Sequence, residues 1–383
     1  MNLHDLKQCM RKWVMHRVEM LWQHKGPVST LLLPLAGITR LLCWRKRIRY
    51  AHKPELVQHS RRPVIVVGNI FVGGTGKTPV VIALTKALKA RGWSPGIVSR
   101  GYGARIGERA ITGQGTLDPA LVGDEPALIA RETGVPIAVH PRRALALSRL
   151  ERDYSGVDVI ISDDGLQHLA LGRDLEIAVQ DNRGTGNGRL LPAGPLREPA
   201  ERLFSVDFLI TNEPPENIRK NRVAEEAPVT GHSTPDDDDY VFEGGSRRIS
   251  MFLTPHHVEH LVSGTSLPWT TWLQRYSENE CAAAAGIGNP QRFFNMLTAH
   301  GLRPVHCLAL PDHYDYKHNP FSTLPTQTLL ITPKDAIKCA SLGDDRIWVV
   351  HPEPVFSDSR WLDLMHQMLE LIAAEKKKKR SGT

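Results

Sequence analysis

Cysteine is scarce and unpatterned in this sequence. Cys9, Cys43, Cys281, Cys307 and Cys339 are scattered over 383 residues with no CxxC spacing. That argues against a zinc site or a disulfide framework and suits a reducing cytosol. A long apolar run is also missing. The strongest stretch, 28–43, is interrupted by Pro34, Gly37 and Arg40 and falls short of the roughly 20 apolar residues that span a bilayer. The first twenty residues are charged throughout and lead into no small-residue cleavage site, so no cleavable signal is expected and the chain is placed on the cytoplasmic side. No internal repeat is visible.

What is present is an ordinary folded composition, 41% apolar and 23% charged, in a chain long enough for two domains and an appendage. Lys and Arg number 48 against 41 Asp and Glu, a formal +7. Such a balance suits an anionic partner: nucleic acid, an acidic lipid surface or a phosphorylated substrate. The first fifty residues interleave Trp13, Val14, Leu21, Trp22, Leu31, Leu32, Leu33, Leu41, Leu42 and Trp44 with Lys12, Arg17, Lys25 and the basic run 45–49. A basic amphipathic helix of this kind lies in a membrane interface or packs on its own domain.

From Pro63 the pattern alternates between strand and helix. Strands are predicted at 64–67, 97–99, 136–139, 157–161, 175–179 and 207–210, and a helix over 79–91 stops at Gly92. The α/β pattern resumes at Ala282, with a helix starting near Asn289-Pro290 and strands at 329–331 and 347–350. The expected fold is α/β: a P-loop NTPase with a doubly wound, mostly parallel sheet and a second, smaller α/β domain. The divisions expected are a basic amphipathic membrane-associating segment over 1–50, a P-loop kinase domain over 51–211 and a linker or hairpin over 212–280. The smaller domain then occupies 281–352, and a C-terminal helix with a basic tail occupies 353–383. The acidic run 236–239 reads as a solvated loop, and the basic run 376–380 as a disordered tail.

Gly73-Gly74-Thr75-Gly76-Lys77-Thr78 sits between a predicted strand and a predicted helix. There, glycines turn backbone N–H groups toward phosphate oxygens, Lys77 reaches the β and γ phosphates, and Thr78 offers a hydroxyl to Mg²⁺. The usual first glycine of such a loop is replaced by Phe71. The GGTGKT core is shared with partition-type ATPases that use nucleotide as a switch, so the loop alone leaves open a nucleotide-switch ATPase. The apolar strand ending in Asp163-Asp164 has the form of a Walker B element, whose carboxylates hold Mg²⁺ directly or through water.

With Asp163-Asp164-Gly165-Leu166-Gln167-His168 the sequence resembles the tetraacyldisaccharide 4'-kinase (lipid A 4'-kinase) family. Matching segments follow in order over most of the chain: Val67-Gly68-Asn69-Ile70, Ser99-Arg100-Gly101-Tyr102-Gly103, Gly123-Asp124-Glu125-Pro126, the stretch from Gly186 to Pro199, Gly286-Ile287-Gly288-Asn289-Pro290-Gln291-Arg292-Phe293-Phe294, Pro311-Asp312-His313-Tyr314 and Lys334-Asp335-Ala336-Ile337-Lys338. The resemblance implies transfer of the ATP γ-phosphate to the 4'-hydroxyl of a tetraacyldisaccharide 1-phosphate, the lipid A precursor. The work would be done by a peripheral enzyme on the anionic cytoplasmic face of the inner membrane, and no nucleic acid partner is expected. It implies Asp124 as catalytic base with His313 as its partner from the second domain. Lys77 joins them in catalysis through the phosphates. Arg100, Tyr102, Gln167, His168, Arg197 and Glu198 are candidates around the substrate. Two departures stand out. The family's Thr-Glu-Lys-Asp reads Thr332-Pro333-Lys334-Asp335 here, and 213–280 shows little of the family pattern.

Overall fold

The computed structural model describes residues 18, 20–214, 246–277 and 279–382. The early Trp13 and Lys12 of the N-terminal segment and the acidic run 236–239 lie outside them. The first lobe contributes β1 (Val64–Gly68), β2 (Pro95–Ser99), β3 (Ile111–Gly113), β4 (Ile137–Val139), β5 (Val159–Asp163), β6 (Leu175–Asp181) and β7 (Phe208–Asn212). Beyond them come β8 (Arg247–His260), β9 (Ser266–Pro268), β10 (Cys281–Ala285), β11 (His306–Ala309), β12 (Thr328–Ile331) and β13 (Ile347–Phe356). All belong to one sheet in the order β11-β10-β12-β13-β8-β7-β6-β1-β5-β2-β4-β3, with β9 paired to β8.

β1 is buried along its whole length and pairs in parallel with β5 and β6. Its continuous β-branched run is what a strand covered on both faces requires. Residues alternate between two cores. Ile65 and Val67 meet Val80, Val81, Leu84 and Leu88 of the helix Lys77–Ala90, while Val64 and Val66 meet Leu147, Ile160, Leu166 and Leu209 on the opposite face. Both β2 and β5 lie on one side of β1 and β6 on the other. The chain therefore reverses direction at β1, and the crevice at the strands' carboxyl ends is where open α/β sheets bind ligands.

The sheet joins two mostly parallel halves through the antiparallel pair β8 with β13, while β3 and β9 pair antiparallel with β4 and β8. β8 carries the chain into the second lobe and β13 brings it back. Neither element's full extent was anticipated. β8, β9 and the helix Trp269–Tyr276 occupy a stretch that reads as weakly patterned, and β11 was not expected. β13 continues through Pro352 and Pro354 after a register shift at His351/Pro352, a bulge being one of the few ways a sheet tolerates proline. In the second lobe the alanines of β10 are fully covered. Their small side chains leave room for Trp272, Phe293, Phe294 and Trp348 on one face and Tyr316 and Phe321 on the other.

The helix Arg360–Ser381 returns to the first lobe, where Trp361, Met365 and Leu369 enter its core. The basic run 376–380 is helical rather than a disordered tail. Lys376 Nζ is 2.6 Å from Asp174 and donates to the Arg62 carbonyl at 2.8 Å, which fastens the start of that run. At the other end of the chain, the helix Leu33–His52 lies against the loop 186–199, tied by Cys43 to Arg197 O, Arg47 to Glu198 at 2.6 Å and Lys46 to Gln167 O at 2.8 Å.

Candidate active site

The glycine loop leaves β1 at its carboxyl end. Gly73 and Gly76 have φ of 103° and 97°, a region glycine enters without steric cost, and Gly76 leads directly into the helix Lys77–Ala90. Gly73, Gly74, Gly76, Lys77 and Thr78 line a cleft of about 1550 Å³ between the lobes. Thr75 is different: its side chain is buried and its hydroxyl accepts a hydrogen bond from Asn69 Nδ2 at 3.2 Å, so it shapes the loop from behind. Phe71, where the usual glycine is missing, is a structural post. It is buried, bridges to Leu196 and lies 4.4 Å beneath the Arg183 guanidinium. Arg183 in turn donates to Gly74 O at 3.2 Å.

Asp163 ends β5 beside Val67 of β1, buried and hydrogen-bonded by Ser99 Oγ at 2.9 Å. Burial, reinforced by the neighbouring charges of Glu125 and Asp164, raises its carboxyl above the ordinary range. Asp164 adopts φ 48° and faces Lys77 Nζ at 3.4 Å and Arg197 Nη1 at 3.4 Å. Burial acts on it too, but Lys77 and Arg197 prevail and hold it below the usual range. Asp163, Asp164 and Glu125 lie near enough for their charges to act on one another, with Lys77 and Arg143 offsetting them, and among the described residues no three His, Cys, Asp or Glu side chains are grouped as a metal site.

The structure brings Asp124 and His313 together from 189 residues apart, His313 Nδ1 lying 2.8 Å from Asp124 Oδ2. Asp124 opens the helix Asp124–Thr133, after Gly123 at φ 93°. His313 comes from the loop after β11, with φ 60°, a strained setting for a residue with a Cβ. The Tyr102 ring lies against it at a tilt of 47°, with ring centroids 5.2 Å apart.

The remaining candidates divide by what they touch. Arg100, Tyr102, Gln167, His168 and Arg197 all line the cleft. Gln167 Nε2 is spent on Asn69 O at 2.9 Å and Glu198 Oε1 at 2.8 Å. Glu198 is buried and braced by Arg47 at 2.6 Å and Arg202 at 3.9 Å, which turns it toward the N-terminal helix. His168 is depressed to about 4, chiefly by burial and then by the charges of Arg143 and Lys46, so it is neutral at physiological pH.

Several groups around the cleft were not singled out from the sequence. Arg292, from the second lobe's helix Pro290–Ala299, reaches across to buried Asp181 at 2.5 Å, where Arg183 also converges at 2.7 Å. Gly288 lies so close to the glycine loop that a Cβ on it would be 3.5 Å from Gly74 N. Lys334 reaches Glu125 at 3.4 Å and Asp312 at 3.1 Å. Lys338 reaches Asp124 Oδ2 at 2.5 Å. The only signal available for them was membership in the matched segments. Pro333, in place of the family's Glu, occupies the first turn of the helix Pro333–Cys339 after the Thr332 cap, a position proline favours.

A glycine loop at the switch point of a doubly wound sheet, with charged side chains of a second lobe meeting the first across the cleft, is the architecture of a P-loop phosphotransferase. The family described as tetraacyldisaccharide-1-P 4'-kinase matches residues 28–370. A tetraacyldisaccharide 4'-kinase of Bordetella petrii is 51% identical over 92% of this chain and 95% of its own length, and one from Pseudomonas fluorescens is 39% identical over 92% and 95%. Among solved structures, LpxK from Aquifex aeolicus in complex with ATP aligns with a TM-score of 0.69 at 26% identity, covering 89% of this chain and 99% of that one. The chain belongs to the tetraacyldisaccharide-1-P 4'-kinase family.

Proposed function

We infer that this chain transfers the γ-phosphate of ATP to the 4'-hydroxyl of a tetraacyldisaccharide 1-phosphate, forming the 4'-phosphate ester and ADP. The observation that carries the reading is the Asp124–His313 contact, made between two lobes, whose histidine lines the same cleft as the phosphate-binding loop. A switch ATPase needs no proton acceptor there, whereas a kinase needs one for its acceptor hydroxyl.

The loop amides from Gly73 to Gly76 and the start of the helix Lys77–Ala90 bind the β and γ phosphates, with Lys77 compensating their charge. Thr78, Asp163 and Asp164 would hold Mg²⁺, which when bound neutralises charge on the β and γ oxygens. At the acceptor end, Asp124 takes the hydroxyl proton as the oxygen–phosphorus bond forms and the bond from γ-phosphorus to the ADP oxygen breaks. His313 fixes the carboxylate by Oδ2. Because Asp124 and His313 belong to different lobes, the pair depends on how the lobes meet across the cleft. Arg100, Tyr102 and Arg197 face the disaccharide. Neutral His168 serves as a hydrogen-bonding group, and Gln167 with Glu198 braces the wall behind.

An acylated acceptor requires work at a membrane surface. No described helix is long and apolar enough to cross a membrane. The helix Leu33–His52 nevertheless exposes Leu35, Ile38, Leu41, Leu42 and Trp44 alongside Arg40, Arg45 and Arg49. An apolar surface of this size flanked by cations fits anionic headgroups and the acyl boundary, and Lys46 of the same helix lines the cleft. We read it as the docking element of a peripheral enzyme.

The test is incubation of the purified chain with γ-labelled ATP and detergent-dispersed tetraacyldisaccharide 1-phosphate. Label moving into lipid supports the reading. Label released only as inorganic phosphate, with no lipid product, refutes it.

A further inference from the structure

The contact that most needs explanation is the second one on Asp124. Lys338 Nζ lies 2.5 Å from the same Oδ2 that His313 engages at 2.8 Å. The lysine side chain is 16% exposed, and its amine also donates to the carbonyl of Tyr314, the residue after His313, at 3.3 Å. One ammonium group thus binds both the carboxylate of the first lobe and the loop that presents the histidine.

The helix that carries Lys338 is itself pinned. Asp335, 2% exposed, accepts from Gly286 N at 3.1 Å, Tyr316 Oη at 2.7 Å and Thr332 Oγ1 at 2.6 Å. These bonds tie the helix Pro333–Cys339 to the turn after β10 and to the chain three residues beyond His313. Rigid mounting of this kind is not needed for a loose surface ion pair, which contributes little. It is what a group held in one geometry needs.

We propose that Lys338 is a positioning residue of the phosphoryl-transfer site, fixing Asp124 through Oδ2 together with His313 and so leaving Oδ1 for the acceptor hydroxyl. The inference rests on the kinase reading above. Around Asp124 the charged and titratable groups are His313 and Asp312 from one loop, Lys338 and Lys334 from the helix Pro333–Cys339, neighbouring Glu125, and Tyr102 behind His313. Burial pushes the Asp124 carboxyl up, but the bonds from His313 and Lys338 outweigh it and hold the group below its ordinary range. Removal of the lysine charge raises the proton affinity of Asp124, so the ionised, competent form is lost at a higher pH.

The test compares the full chain with Lys338→Met, which keeps the stem and removes the charge, and Lys338→Arg, which keeps the charge. For Lys338→Met, kcat falls about 10- to 100-fold with KM for ATP unchanged, and the acid limb of the kcat profile moves to higher pH. Lys338→Arg recovers most of the rate and the original limb. Wild-type kcat with an unmoved limb in Lys338→Met overturns the proposal. So does a rate loss with an unmoved limb that Arg does not restore. If Lys338→Met fails to fold, Lys338→Gln reads the same limb. A wild-type chain that phosphorylates no lipid defeats the kinase reading instead, whereas an active wild type with an indifferent Lys338→Met defeats only this inference.

Discussion

Simultaneous replacement by Ser of Leu42 and Trp44 on the docking helix and of Leu31, at the end of the short helix Pro27–Leu31 just before it, tests the docking surface. These side chains are 80%, 62% and 57% exposed, so their loss should leave the folded core unchanged. Full burial of such a side chain is worth about 1.5–3 kcal/mol. Scaled by the exposed share, the three together offer about 3–6 kcal/mol if completely immersed. A helix lying at the headgroup boundary realises roughly half of that, which corresponds to a 10- to 100-fold weaker partition. The assay is co-sedimentation with vesicles containing phosphatidylglycerol, read beside the melting temperature and the kinase rate on detergent-dispersed acceptor. Binding should fall while melting and the detergent-based rate stay put. Unchanged vesicle binding would refute the assignment of this surface to the membrane.

Asp124→Asn and His313→Ala should each lower kcat by about 10² to 10⁴-fold with ATP affinity retained. The double variant should be little worse than the weaker single, because the two act as one unit; full additivity of the losses in steady-state kinetics would contradict the pairing. At Gly123, with φ 93°, an added Cβ would lie 2.6 Å from the Tyr102 carbonyl. Gly123→Ala should therefore cost about 1–3 kcal/mol of stability and displace Asp124 beside it, seen as a lower melting temperature together with a lower kcat. Glu176 is covered by Arg173 at 2.9 Å and by Arg202. Burial pushes its carboxyl up, but Arg202 and Arg173 prevail and hold it below the ordinary glutamate range. Its folded affinity for a proton is thus lower than its unfolded one, and its contribution to stability is complete above about pH 4.5 and is lost as pH falls through the depressed value. Glu176→Gln should cost about 3 kcal/mol in denaturant titrations at pH 7 and much less at pH 3; an equal loss at both would be contrary.

The first lobe was legible because its strands are short β-branched runs between glycine-rich turns, and burial on both faces demands that composition. The glycine loop and the Asp163-Asp164 strand end were legible for the same reason: their chemistry is local. β8 was not, since Arg247, Arg248, His256, His257, Glu259 and His260 blur any apolar alternation in a strand that bridges two lobes. Only the first part of β13, 347–350, was legible; its continuation hid behind Pro352 and Pro354, which its bulge accommodates. Family resemblance brought Asp124 and His313 to notice as partners, although they stand 189 positions apart and no local pattern links them. Lys338 carries no local pattern at all; its meaning comes only from the lobe it reaches. Glu198 illustrates the reverse, a charged residue in a matched segment whose side chain braces the N-terminal helix.

The central claim is phosphoryl transfer to one particular hydroxyl of an acylated disaccharide, and phosphorus NMR of the isolated product tests it most directly. The expected spectrum retains the 1-phosphate and gains one phosphate monoester coupled to the proton at the 4' carbon, in amounts equal to the ADP formed. A product esterified at another hydroxyl, or ADP accumulating with the lipid unchanged, would contradict it.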